Sequence, residues 1–231
     1  MTIHFSEGLI ASPMFSGLAP KSVERLMRVA RPVRFRRGEN IFLHQSRADC
    51  CYVILSGWVK LYRVTPNGNE ALVRMHSQFE TVGFCDGLRD QVHSYGAEAA
   101  SICRLLSLPT AEIRALAAED QEFASRLLAH TLSALEQMFD QVESLKTQTA
   151  IQRVAAFLLR HARRVEGRTV VELPFEKSLV AAHLGIKPES LSRVLARLKA
   201  HGLALNQSEI EVVNRDLLEG VIRSDPADAW A

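Results

Sequence analysis

The sequence is short of the features that mark membrane, secreted and catalytic proteins. No apolar run in its 231 residues approaches the roughly 18–20 that a membrane span needs, so no membrane partner is expected. The opening stretch, MTIHFSEGLIASPMF, has no basic segment leading into a long apolar one, which argues against a secretory signal. There are only four cysteines, Cys50, Cys51, Cys85 and Cys103. They form no CxxC pair and no staple pattern of a small secreted domain, which fits a reducing cytoplasm. A GxSxG elbow, a P-loop, an HExxH pair and a GxGxxG turn after a strand are all missing, so no enzymatic activity is expected.

What is present is an ordinary globular composition: 47% hydrophobic residues and a mean hydropathy near zero. The length suffices for one large domain or two small ones. The charge is less ordinary. A formal net charge of +2 hides a segregation. Residues 1–151 carry sixteen charges of each sign, residues 152–201 ten Lys/Arg against four Asp/Glu, and residues 202–231 two against six. A basic block inside a near-neutral chain is the footprint of a polyanion-binding surface, although a solvated helical face gives the same count.

Three patterns follow one another along the chain. Residues 14–30 contain an Ala-Pro turn and read as a short amphipathic helix. Short β-like runs then take over at 40–44, 52–55, 58–64, 71–75 and 97–108. Arg37-Gly38-Glu39, Ser56-Gly57 and Pro66-Asn67-Gly68-Asn69 separate them, and Asn-Gly tolerates the positive φ of a tight hairpin. Many short strands at even spacing predict a sandwich or barrel. After Leu108-Pro109-Thr110 the pattern turns helical, with residues 119–149 free of Gly and Pro. Leu128, Thr131, Leu135, Met138, Val142 and Leu145 alternate by three and four, the spacing of a coiled-coil seam. Leu132 and Phe139 widen that stripe, so one side can bury in its own domain and the seam against a second copy. The competing reading packs the helix wholly inside one monomer.

The segment FEKSLVAAHLGIKPESLSRVLARLKAHGL, residues 175–203, has the pattern of a helix-turn-helix. Two helices crossing tightly need a small residue at the approach, Gly in the turn and apolar pins on both sides. Ala181, Gly185 and the set Val180, Leu184, Ile186, Leu191 and Val194 supply these. Pro188 suits the first position of the second helix, where its missing N–H costs nothing. On that helix Leu191, Val194, Leu195 and Leu198 point inward, while Glu189, Arg193 and Arg197 point outward with Ser190 and Ser192 on the flanks and Lys187 before them. Arg can donate twice to guanine, Glu can accept from cytosine, and Ser serves bases or phosphate, so this face suits a major groove. Two ordinary bundle helices would not require a polar outward face inside a basic block. Asn206-Gln207-Ser208, between short β-like runs, reads as the turn of a wing.

At this point the chain resembles the cAMP receptor protein/FNR transcription regulators over about residues 14–220. Gly38-Glu39, Tyr52-Val53-Ile54-Leu55-Ser56-Gly57, Val59-Lys60-Leu61-Tyr62-Arg63 and Asn67-Gly68 resemble the family's roll. Glu189, Ser192 and Arg193 stand in the ExxSR arrangement of the FNR branch, which implies a reader of TTGAT half-sites. LSGWVKLYRVTPNGNE and VAAHLGIKPESLSRVLARL resemble the DNR/NnrR-like regulators of nitrogen-oxide respiration. The resemblance implies an α+β fold. A β-roll of the cyclic-nucleotide-binding jelly-roll type would span residues 1–118, a long dimerisation helix 119–149 and a winged helix-turn-helix 150–231. It also implies a cytoplasmic homodimer through Leu128, Leu135, Met138, Val142 and Leu145, with double-stranded DNA and RNA polymerase as partners.

The departures from the family concern the effector. Cyclic-nucleotide binders carry a Gly-Glu in the phosphate cassette and an Arg before two small residues. Here the matching stretches are Val82-Gly83-Phe84-Cys85-Asp86-Gly87 and Ser94-Tyr95-Gly96-Ala97-Glu98, with neither the Glu nor the Arg. A buried phosphate without its bidentate partner is poorly compensated, so cAMP is not the expected ligand. No cysteine precedes Cys50, so the N-terminal iron–sulfur cluster of oxygen-sensing members is not expected either. The DNR-like resemblance implies haem and nitric oxide, with Cys85, His76, His93 and His183 as candidate iron ligands. Each also has a structural reading, Cys85 as a small buried hydrophobe and the histidines as loop or packing residues. Another small molecule, cysteine redox control and no effector at all remain as alternatives, as does a plain cyclic-nucleotide-binding-like module.

Overall fold

A computed structural model describes residues 5–65, 67–174, 176–205 and 209–224. Pro66 of the hairpin signal, Phe175, the Asn206-Gln207-Ser208 wing turn and the tail from Asp225 lie outside the described residues. The chain divides into two compact units, one up to Leu135 and one from Glu136.

The first unit begins with helices α1 (Phe5–Ala11) and α2 (Pro20–Val29). Eight strands follow: β1 (Arg31–Phe35), β2 (Asn40–Phe42), β3 (Cys50–Ser56), β4 (Val59–Val64), β5 (Glu70–His76), β6 (Thr81–Val82), β7 (Gly96–Ala99) and β8 (Cys103–Pro109). A short helix α3 (Phe84–Leu88) interrupts them, and α4 (Thr110–Glu119) closes the set. The strands form two four-stranded antiparallel sheets, ordered β1-β8-β3-β6 and β2-β7-β4-β5. Period-2 alternation explains both cores. Ile54 and Leu105 point between the sheets, where they meet Ile41, Val59, Val82, Ala97 and Ala99. Their neighbours Val53, Leu55, Leu106 and Leu108 point the other way, against Leu9, Leu26, Ile113 and Phe123 of the helices and Phe15 of the turn between α1 and α2.

Two clusters of charged residues tie elements of this unit together. Lys60 lies 2.8 Å from Glu70 and 3.0 Å from Glu98. Burial lowers the tendency of the Lys60 ammonium to hold its proton, but the two carboxylates outweigh it and the pKa is raised. Arg25 joins α2 to α4 through Glu112 at 3.2 Å and Glu119 at 2.6 Å.

Two boundaries differ from the sequence expectation. The run 97–108 is two strands in different sheets, because the chain leaves one sheet after Ala99 and joins the other at Cys103. Neither Gly nor Pro marks that crossing. The helical stretch is also broken: Asp120 is extended, and its Oδ1 accepts from the Phe123 N–H at 3.0 Å, starting a new helix α5 (Gln121–Thr147). A short Asp side chain caps a helix start as effectively as a loop does.

The second unit holds the later part of α5, then α6 (Ala150–His161), β9 (Arg163–Val165), β10 (Arg168–Glu172), α7 (Lys177–His183), α8 (Pro188–Leu198), a 3-10 turn (Lys199–His201), β11 (Leu203–Leu205), β12 (Glu209–Val212) and α9 (Arg215–Arg223). Thr149 and Gln152 start α6 with a reciprocal cap, each side chain bonding the other's backbone N–H. Gln152 is buried, and its Nε2 also donates to the carbonyls of Ile222 and Ser224 at 3.3 and 2.8 Å. The sheet order is β11-β12-β10-β9.

Candidate nucleic-acid interface

The helix-turn-helix follows from its pins. Val180, Ala181, Leu184, Leu191, Val194, Leu195 and Leu198 are all buried. Gly185 adopts φ +64°, and a Cβ there would stand 2.9 Å from Leu145 Cδ2, so both backbone and space call for glycine. Pro188 opens α8 as expected. β11 and β12 pair antiparallel, Leu203 opposite Val212 and Leu205 opposite Ile210, as the arms of a wing would.

The outward face of α8 is open. Lys187, Glu189, Ser192, Arg193 and Arg197 are exposed and Ser190 is half-buried. Glu189, Arg193 and Arg197 are four apart, so they share one ridge along a helix about 16 Å long. The Ser192 hydroxyl donates back to the Pro188 carbonyl at 3.3 Å. Among the described residues no ion pair occupies Lys187, Glu189, Arg193 or Arg197. The rest of the basic block is partly neutralised, since Arg163 pairs with Glu172 and Arg168 sits 3.4 Å from Glu209. On α8 and its N-cap the cations Lys187, Arg193 and Arg197 outnumber the single anion Glu189, which suits a polyanion surface.

The candidate seam on α5 is exposed along its length: Leu128 62%, Leu135 46%, Met138 56%, Val142 50% and Leu145 47%. Phe123 and Leu127, not Leu132 and Phe139, are the residues α5 buries against its own domain. Leu132 and Phe139 stay exposed and extend the apolar surface. Leu145 is shared, since one methyl lies against Gly185.

The four candidate iron ligands have separate surroundings. Cys85 is exposed on α3, and burial of its sulfur, helped by Asp86 and opposed by Arg89, pushes its thiol pKa up. His93 is 2% exposed and stacks on Phe42 at 3.7 Å. Burial holds its pKa below the ordinary imidazole value, against the pull of Asp86 and Asp49, and its Nδ1 has no hydrogen-bond partner among the described residues. His76 Nδ1 lies 3.6 Å from Glu80, and His183 packs its ring 5.8 Å from Phe157 in the second unit. A porphyrin between the sheets of the roll would have to displace Ile41, Ile54, Val59, Val82 and Leu105. The residues as packed do not fit a haem there. The cassette is likewise closed on itself: Asp86 accepts from the Ser94 N–H and hydroxyl, both at 2.9 Å. A Cβ at Gly96 would stand 2.5 Å from the Tyr62 ring, so no arginine fits before Ala97 without moving that ring.

Sequence reasoning missed Arg153, whose guanidinium bonds the carbonyls of Leu184 and Gln148 at 3.0 and 2.6 Å. Nothing in the local pattern sets it apart from the other arginines of the basic block. The β9–β10 hairpin was equally unmarked except by Gly167.

Comparison with known proteins adds three findings. Residues 32–120 match the model of the cyclic nucleotide-binding domain and residues 152–221 that of the Crp-like helix-turn-helix domain. The nitrogen fixation regulation protein FixK of Rhizobium meliloti (strain 1021) is 30% identical over 187 residues, 81% of this chain and 82% of FixK. Two crystal structures are similar over nearly the whole chain. One, a Ruegeria pomeroyi DSS-3 protein named for cyclic nucleotide binding, is 36% identical with a TM-score of 0.77, covering 95% of this chain and 97% of its own. The other, DNR from Pseudomonas aeruginosa, is 30% identical with a TM-score of 0.54, covering 96% and 100%.

Proposed function

The chain belongs to the CRP/FNR family of transcription regulators, and on that premise we propose that it binds a palindromic FNR-like DNA site as a homodimer. Residues 1–118 serve as sensor, 119–149 as dimerisation helix and 150–231 as reader. Glu189 and Arg193 address the central base pairs of each TTGAT half-site and Ser192 its T-rich end, while Lys187, Ser190 and Arg197 hold the flanking backbone. The single observation behind this reading is the ridge of α8, polar, exposed and without internal ion pairs among the described residues. The exposed stripe Leu128, Leu135, Met138, Val142 and Leu145 supports the dimer. The protein acts in the cytoplasm with RNA polymerase as its partner, and as a binding protein rather than an enzyme.

A signal at the roll then shifts the population toward a dimer whose recognition helices lie about one DNA turn apart. We infer that this signal is not cAMP, since Gly96 stands where the phosphate-pairing arginine would be and the Tyr62 ring fills the space beside it. A second reading, redox control, has one observation in its favour: Cys85 is the exposed thiol of the four.

The test is fluorescence anisotropy of a labelled TTGAT-N4-ATCAA duplex with the protein alone, with its thiols blocked, and after incubation with haem and nitric oxide. Tight binding relative to random DNA supports the reader. An unchanged affinity after thiol blocking removes the redox reading, and binding confined to the haem–nitric oxide sample would return haem as the signal. No preference over random DNA in any sample would overturn the assignment of Glu189, Ser192 and Arg193.

A further inference from the structure

Two readers match a palindrome only if each is held at a fixed position relative to the seam that joins the two copies. Within the second unit, two contacts tie the reader to the end of α5, and a third ties α6 to α7. The strongest is Arg153 of α6. Its Nε donates to the Leu184 carbonyl at 3.0 Å, and its NH1 to the Gln148 carbonyl at 2.6 Å. Gln148 follows the last residue of α5, and Leu184 is the residue that ends α7. Carbonyls at helix ends have no partner within their own helix, so they accept well from outside. A guanidinium is a planar fork of donors, able to join two such acceptors in one fixed geometry, which a lysine ammonium cannot do. The second contact is Leu145 of α5 against Gly185 of the turn. The third is Phe157 of α6, whose ring lies 4.5 Å from His161 and 5.8 Å from His183 of α7.

We propose that Arg153 is a positioning residue: it locks α7 and α8 to the C-terminal end of α5 and thereby sets the separation of the two recognition helices in the dimer. The inference rests on the dimeric reader proposed above. Arg153 lies on α6 rather than on the ridge of α8, and its bonds to Leu184 and Gln148 both go to the protein's own backbone. Losing it leaves the chemistry of the ridge intact but lets the reader rock against the seam. A merely stabilising arginine would lower the folded fraction and leave every preference of the folded protein unchanged.

The experiment measures the affinity of full-length wild type, Arg153→Met and Arg153→Lys for the TTGAT-N4-ATCAA duplex, for versions with the spacer one base pair shorter and longer, and for a single half-site. Sedimentation confirms the dimer in each case, and active protein is titrated so that folded molecules are compared. Wild type is expected to prefer one spacer. Arg153→Met should lose about tenfold on that duplex, keep the half-site within about twofold and discriminate less between spacers. Arg153→Lys should fall between the two, and it carries the test alone if the Met variant does not fold. An unaltered spacer preference in the variants would overturn the inference, as would an equal loss on palindrome and half-site. A wild type that binds palindrome and half-site alike would overturn the dimeric reading and this inference with it.

Discussion

The first unit's ion-pair clusters and the outer face of α8 treat charged residues in opposite ways. In the clusters, Lys60 is held by Glu70 and Glu98, Arg25 by Glu112 and Glu119, and Asp86 by Ser94, so these charges are engaged within the fold. On α8 the hydrophobic pins are buried while Lys187, Glu189, Arg193 and Arg197 face outward with no ion pair among the described residues. Uncommitted polar groups on a rigid helix are groups reserved for a partner, and committed ones hold the architecture. α5 presents a third kind of surface, apolar and uncovered, which under the proposed function receives a second copy of the chain rather than DNA.

Four perturbations separate these three surfaces. The largest effect is expected from Met138→Glu, which places a charge at the proposed two-fold seam and should weaken the dimer by at least about 3 kcal/mol. Sedimentation velocity would show monomer, and an unchanged dimer would refute the seam. Next, Arg193→Ala should cost about 1–3 kcal/mol on the specific site and relax preference at one base position, with thermal stability unaltered. An equal loss on random DNA would make Arg193 a phosphate contact. Lys60→Met is the converse case, because it leaves Glu70 and Glu98 facing each other without their cation. It should cost about 1–2 kcal/mol of stability in chemical denaturation while leaving the DNA affinity of the folded protein unchanged. A change in DNA affinity would show that the roll's internal pairs are part of the signalling path.

The smallest effect is a pH dependence. The folded state holds His93 below its ordinary pKa, as it does His130, chiefly through burial. Below about pH 6.5 the unfolded chain therefore binds more protons than the folded one, and stability falls as pH drops from there toward the lower folded values. His93→Phe should flatten that slope by less than about 1 kcal/mol between pH 7 and 5.5. An identical slope would mean that His93 does not titrate differently on folding.

Legibility in the sequence followed the length of each signal. The pins of α7 and α8 recur at helical spacing over many residues, with Gly185 and Pro188 as punctuation, and the polar ridge could be read from them directly. β6 is two residues long and α3 five, too short for any period to show. The crossing between β7 and β8 passes through Ala100, Ser101 and Ile102, which look like strand residues, so only tertiary pairing reveals it. On α5, periodicity identified an apolar stripe but not which side faces its own domain. Phe123 and Leu127 win that role because α5 meets the roll only near its start. Arg153 was illegible for another reason: its partners are backbone carbonyls, which every residue possesses.

The junction between α5 and α6 consists of Gln148 and Thr149 alone, with Thr149 committed to the cap of the helix that follows. A link so short makes residue count itself heritable information. One codon gained or lost between Met138 and Gln148 would turn everything downstream by about 100° and shift it by about 1.5 Å along the helix. Under the proposed dimeric reading, descendants of this gene can therefore acquire new operators by exchanging residues on α8, or lengthen the surface turn at Glu166-Gly167, but the interval from seam to reader must be inherited without insertion or deletion.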